Sequence, residues 1–200
     1  MLGIHPLFIG GLGASIAERW KRHSQRLPSN TGIGYEAVKA IFLDHFDDAL
    51  LIREAASEAP IIVAFLTNRG AAVSPLIGGT GLVCYCCFRK RWFANLEAWE
   101  GSASWLRTVA AVANHIPPLP DLVPDTVVDF ILSLVSQRVT DVQSRSLCHY
   151  FDLITCDVSV GPVLPVHGCS TCRSALGGPL KDAGRGVPQN TRLKPPQQEP

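Results

Sequence analysis

This 200-residue sequence has almost no net charge. Eighteen basic and seventeen acidic residues nearly cancel. A nucleic-acid partner is not expected, because phosphate binding needs a basic face. Long apolar runs are absent as well. "PIIVAFL" and "FILSLV" are the most apolar stretches, and both are far too short to cross a bilayer. The N-terminus, "MLGIHPLFIGGLGASIAERW", lacks the form of an export signal. Its basic residues follow the apolar stretch and glycines interrupt it. It reads as part of the fold of a cytoplasmic protein. An even cysteine set is also missing. Seven cysteines without an export signal are not a disulfide framework. No internal repeat occurs, apart from two similar cysteine pairs.

What is present suffices for one domain, since 46% of the residues are hydrophobic. "HPLFIGGLGASIAERWKRHSQRL" reads as strand, glycine turn and helix, with Ile16, Ala17 and Trp20 at helical spacing. "PSNTGIG" is a loop, and "AVKAIFLD" a second buried strand. "DDALLIREAASEA" is a helix with acidic residues in its first turn. "PIIVAFL" is a buried strand. "AAVSPLIGGTGLV" reads as a pair of short strands around Gly78 and Gly79. The first cysteine pair closes this block, and a helix carrying Trp92, Leu96 and Trp99 should follow it, then another over Trp105–Ala113 and a proline-rich connector, "IPPLPDLVP". "DTVVDFILSLVSQRV" is the clearest helix. Val127, Phe130, Ile131, Leu134 and Val135 line one face, and Asp125 is the expected N-cap. "SLCHYFDLITCDVSVGPVLPV" reads as two strands joined by a turn. From Gly177 the chain is polar and rich in glycine and proline, as disordered tails are.

Four of the seven cysteines form two C-x-x-C pairs, Cys84 with Cys87 and Cys169 with Cys172. Each such turn brings two sulfurs to one ion, and two turns give the tetrahedral thiolate set that suits zinc. A zinc–sulfur bond of roughly 2.3 Å then requires the sulfurs to lie within about 4 Å of one another. Four thiolates leave no open position, so the zinc would be structural. Arg89, Lys90, Arg91 and Arg173 would offset its negative charge. The bland alternative is a set of unrelated buried thiols, which is how Cys86, Cys148 and Cys156 are read. His167, two residues before Cys169, could replace a ligand, but it reads more as a neighbour of the site or a surface residue.

The glycines Gly10, Gly11 and Gly13 stand between a strand and a helix. Such a turn lets phosphate approach backbone amides at a helix N-terminus. It equally serves only to pack a helix on a sheet. Asp44 is the candidate ribose-binding acid, although it lies further on than usual.

Together these stretches resemble the ThiF-like, ubiquitin-activating superfamily of adenylating proteins. "IGGLGASIAERW" resembles the glycine-rich nucleotide turn. "DDALLIREAASEAPIIVAF" resembles the segment holding an aspartate and, five residues on, an arginine; Asp48 and Arg53 match them. "GLVCYCCFRKRW" and "HGCSTC" resemble the zinc-binding pairs. The likeness runs over residues 6–175. The stretch that carries a ribose-binding acid and an asparagine–arginine element in adenylating members is cut to "KRHSQRLPSNTGIGYEAVKAIFLDHF", and Asn30 is not followed by arginine. No thiol is clearly placed as an acceptor.

A subfamily is closer. The chain resembles the ThiF-like partner proteins of azoline-forming peptide cyclodehydratases (ocin-ThiF-like, or cyclodehydratase C, proteins). "AAVSPLIGGTGLVCYCC" and "LPVHGCSTC" carry that likeness. The resemblance implies a shortened Rossmann-like α/β fold of ThiF type with a four-cysteine zinc site, over residues 1–176, and a tail over 177–200. It implies a non-catalytic scaffold that docks a YcaO cyclodehydratase and helps present a ribosomal precursor peptide in a thiazole/oxazole (bacteriocin-type) pathway. Such proteins often begin with a winged-helix peptide-recognition module, whereas this chain starts at the glycine turn. A homodimer is compatible with this picture. The alternative is an ATP-dependent adenylating enzyme acting on a carrier-protein or peptide carboxylate. Phosphate would then sit at Gly10, Gly11 and Gly13, with magnesium near Asp48 and Arg53 alongside. A third reading is a plain zinc-stabilised binding module.

Overall fold

The computed structural model describes residues 3–25, 37–67, 70–79, 82–100, 125–153 and 155–175. The loop expected at "PSNTGIG", the helix expected over Trp105–Ala113, the proline connector and the tail from Gly177 lie outside these residues.

Six strands form one sheet in chain order. β1 (Gly3–Phe8), β2 (Ala37–Leu43) and β3 (Ile61–Leu66) are parallel. β4 (Gly70–Val73), β5 (Leu147–Asp152) and β6 (Val158–Pro162) continue the sheet antiparallel. β3 is buried along its whole length, which explains its unbroken apolar run: both faces are covered. Pro6 lies on β1, a sheet edge, where a missing N–H is tolerated.

The glycine turn runs straight into α1 (Gly10–Ser24). Leu12, Ile16 and Trp20, four residues apart, bury that helix on the face of Val38, Ala40 and Phe42. Across α1 lies α4 (Asp125–Thr140), which buries Val127, Val128, Ile131, Leu132, Leu134 and Val135. Phe130 is half-buried and packs on Phe151, and so belongs to this face as expected. Asp125 is the first helical residue of α4 and not its cap; its carboxylate pairs with Arg19. α2 (Asp48–Ala55) and α3 (Tyr85–Glu100) cover the opposite face, over Ile41, Leu43, Val63 and Phe65. Asp47 caps α2 by accepting a hydrogen bond from the Leu50 amide at 2.9 Å. Because β1→β2 and β2→β3 step in the same direction while α1 and α2 take opposite faces, the two crossovers are of opposite hand. The general rule expects both to be right-handed.

"AAVSPLIGGTGLV" forms one strand, β4, followed by single bridges of Ile77 with Ile61 and Val83, in place of the expected two strands. Pro75 has no N–H to continue the ladder. The Ser74 hydroxyl takes over, accepting from the Val63 amide and donating to the Pro75 carbonyl. β5 and β6 form the expected hairpin. A short helix, α5 (Ser170–Ala175), follows it. Among the described residues no helix is long and apolar enough to cross a membrane.

Candidate metal centre

Each cysteine pair is built on a helix N-terminus. Cys84 precedes α3, and Cys87 lies in its first turn, its amide bonded to the Cys84 carbonyl at 3.1 Å. The helix therefore starts inside the pair, where the sequence reading placed it after. Cys169 precedes α5, in which Cys172 lies. Gly168, at φ 76°, makes the turn into it, a conformation that favours glycine. The Sγ atoms of Cys84 and Cys169 are 3.6 Å apart, and those of Cys87 and Cys172 3.3 Å. All four lie within 4.8 Å of one another, slightly looser than the 4 Å expected. Tetrahedral thiolate coordination at about 2.3 Å puts sulfurs roughly 3.8 Å apart, so the set fits one ion.

The protein environment prepares these sulfurs unequally. Burial raises the Cys84 thiol above its ordinary range and the Cys87 thiol to about 11. The Cys172 backbone amide, above all, draws Cys169 down to about 6. The Val166 amide also donates to Cys87 Sγ at 3.1 Å. A bound ion would displace thiol protons as the thiolates form.

The other thiols divide. Cys148 is buried, as expected, and burial pushes it to about 12. Cys86 and Cys156 are exposed, which corrects their reading as buried thiols. Cys86 projects from the outer side of α3's first turn, and Cys156 sits in the β5–β6 turn at φ 61°. His167 is exposed and does not join the cluster. Arg89 turns to Asp48, its Nε 2.7 Å from the carboxylate, and stacks on Phe93.

At the glycine turn the helix amides are already occupied. Asp44, at the end of β2, accepts from the Gly11 amide at 2.7 Å and the Leu12 amide at 2.6 Å. This is the position a phosphate would take at the helix N-terminus. Gly10 has φ +76°, and a Cβ there would fall 1.9 Å from Asp44 Oδ2. At Gly13 a Cβ would fall 2.8 Å from the Phe8 carbonyl carbon, so this glycine lets α1 pack tightly on β1. Asp48 faces α3, accepting from Tyr85 Oη at 2.5 Å and Arg89 Nε. Arg53 is 71% exposed and pairs with Glu54 among the described residues. The four cysteines are thus brought together, while Asp48 and Arg53 turn to different neighbours.

The sequence reading missed one buried polar cluster. Arg138 of α4 is fully buried, contacts His149 Nδ1 and donates to the Ser74 carbonyl at 3.4 Å. Burial lowers Arg138 to about 10 and His149 to about 4. The only sequence signal is an arginine falling on the apolar face of a helix.

The class defined by fold and site is a mixed α/β protein with a six-stranded sheet and a four-cysteine cluster able to hold a metal ion. Its fold is shared by chains of a microcin synthetase complex and of heterocyclases. A chain of the E. coli microcin synthetase McbBCD complex aligns at TM-score 0.54 and 16% identity, over 84% of this chain and 67% of that one. A heterocyclase in complex with substrate and cofactor aligns at TM-score 0.55 and 13% identity, over 86% of this chain and 25% of that one. The heterocyclase TruD aligns at TM-score 0.51 and 16% identity, over 86% and 27%. The chain spans about a quarter of the length of the two heterocyclases. These likenesses agree at the level of fold with the resemblance to ThiF-like cyclodehydratase partners. No protein-family model and no curated protein sequence matches the chain.

Proposed function

We propose that this chain is a non-catalytic scaffold of a thiazole/oxazole-modified peptide pathway, docking a YcaO-type cyclodehydratase and helping to present its precursor peptide. The observation that carries the non-catalytic part is the Asp44 carboxylate on the Gly11 and Leu12 amides. A protein anion holds the position where an adenylating enzyme needs phosphate, and a carboxylate beside phosphate is repulsive. The pathway itself is supported by the shared fold of microcin synthetase and heterocyclase chains. Cys84, Cys87, Cys169 and Cys172 would hold one zinc ion, which supplies cross-linking and no open coordination position. Function then lies in positioning. A tethered peptide reaches another subunit's active site at raised local concentration, which lowers the entropic part of that reaction's barrier.

Isothermal titration with magnesium-ATP tests the reading. No binding in the micromolar range is expected, and no exchange of labelled pyrophosphate into ATP. Clear micromolar binding would overturn it in favour of an adenylating enzyme.

A further inference from the structure

We infer that the edge of β6, which no strand among the described residues pairs with, and the cavity beside it form a docking site for one extended peptide segment carrying an apolar or aromatic anchor. The inference rests on the proposed function only in naming the precursor peptide as the source of that segment.

The backbone pattern makes the edge available. The Asp152 amide bonds to the Asp157 carbonyl, and the Val163 amide to the Ser146 carbonyl. Bonded pairs alternate in an antiparallel ladder. With the observed register, Ser159 and Gly161 turn inward to Tyr150 and Cys148. Val158 and Val160 therefore turn their N–H and C=O groups outward. Their side chains are 46% and 52% exposed. Natural sheet edges are usually guarded by charge, proline or a bulge. Between Asp157 and His167 the sequence "VSVGPVLPV" carries no charge, and Pro162 guards only the strand's end.

A specificity pocket lies at the same edge, on the α3 face. Phe88, Trp92, Cys148 and Gly161 line a partly open cleft of about 170 Å³, with Arg91 and Asn95 on its polar side. A cavity of roughly 150 Å³ accepts a benzene ring, so this cleft has the volume for a single Phe or Leu side chain. A Cβ on Gly161 would meet nothing within 4 Å, so this glycine keeps open space. Main-chain pairing on an edge supplies affinity, and a pocket for an alternate side chain supplies selectivity. Arg91, exposed beside the cavity, favours an acidic residue flanking the anchor.

The test uses the full chain and a fluorescein-labelled synthetic peptide, Thr-Glu-Val-Phe-Val-Glu-Thr, read by anisotropy. Binding is expected at a Kd on the order of 10–100 μM, equivalent to about 5–7 kcal/mol. Val160→Pro removes an outward donor without touching the ladder to β5 and should weaken binding at least about tenfold. Gly161→Leu fills the cavity and should do the same, with unchanged circular dichroism and melting. Replacing Phe by Ser in the peptide should mimic it. No binding, or equal affinity in both variants, overturns the site. Sedimentation showing a dimer that Val160→Pro dissolves also overturns it, because the edge would then be filled by a second copy. Failure of any of these leaves the magnesium-ATP result unaltered, so the two proposals fail separately.

Discussion

At the scale of single residues, the same residue type serves opposite ends. Gly10 and Gly13 stand where a nucleotide turn would have them, yet each meets protein and not ligand: Asp44 in one case, the Phe8 backbone in the other. Gly13→Ala should therefore destabilise the fold by about 1–3 kcal/mol through overpacking. It should leave magnesium-ATP titration unchanged. Chemical denaturation checks the first outcome and calorimetry the second. His149 makes a prediction of a different kind. Unfolded, its imidazole takes up a proton near pH 6.5; folded and buried, it does so only near 4. Between those values the unfolded state holds the extra proton, so stability rises with pH. The contribution is complete above pH 6.5 and is lost as pH falls towards 4, amounting to about 3 kcal/mol. Urea unfolding at pH 7, 6 and 5 should show the loss, and His149→Asn should flatten it. An equal slope in that variant would disprove the assignment.

At the scale of elements, the sequence made the long periodic segments readable. Trp20 and Ile16 announce the buried face of α1, and the β-branched run of β3 announces a strand covered on both sides. The cysteine pairs were readable because C-x-x-C spacing is a local geometric requirement. Other features depend on what packs opposite. Nothing in "DDALLIREAASEA" says that α2 lies on the face away from α1, since either face of the sheet offers apolar contacts. Asp44 was visible as a candidate acid, but only the fold brings it to α1 and not to a ribose. Arg138 broke the apolar pattern of α4, and its partners, His149 and the Ser74 carbonyl, come from other parts of the chain. The break between β4 and the Ile77 bridge turns on Pro75, whose effect depends on which neighbour lacks its donor.

At the scale of the whole molecule, the four-cysteine cluster joins the C-terminal hairpin's exit to the start of α3. Its sulfurs come from positions 85 residues apart. Closing a flexible loop of that length costs about 4 kcal/mol of chain entropy, which binding of an ion held only by the folded chain would offset. Purified without chelators, the protein should contain one zinc per chain by elemental analysis, and a content near zero would refute the site. Cys169→Ser should lose the ion and melt lower by at least about 10 °C, as a loss of several kcal/mol implies for a domain of this size. Unchanged melting with full metal content would argue against a shared site.

The separation of the two cysteine pairs also sets a clock. Ribosomes add roughly 5–20 residues per second, so the 85 residues between paired sulfurs take about 4–17 s to synthesise. Throughout that interval the nascent chain displays Cys84, Cys86 and Cys87 with no partner pair. Three closely spaced thiols in that state are open to oxidation and to capture by softer ions such as Cu(I). Assembly of the four-cysteine cluster then depends on how quickly translation delivers Cys169 and Cys172, and slow codons in that interval should lower the yield of correctly assembled protein.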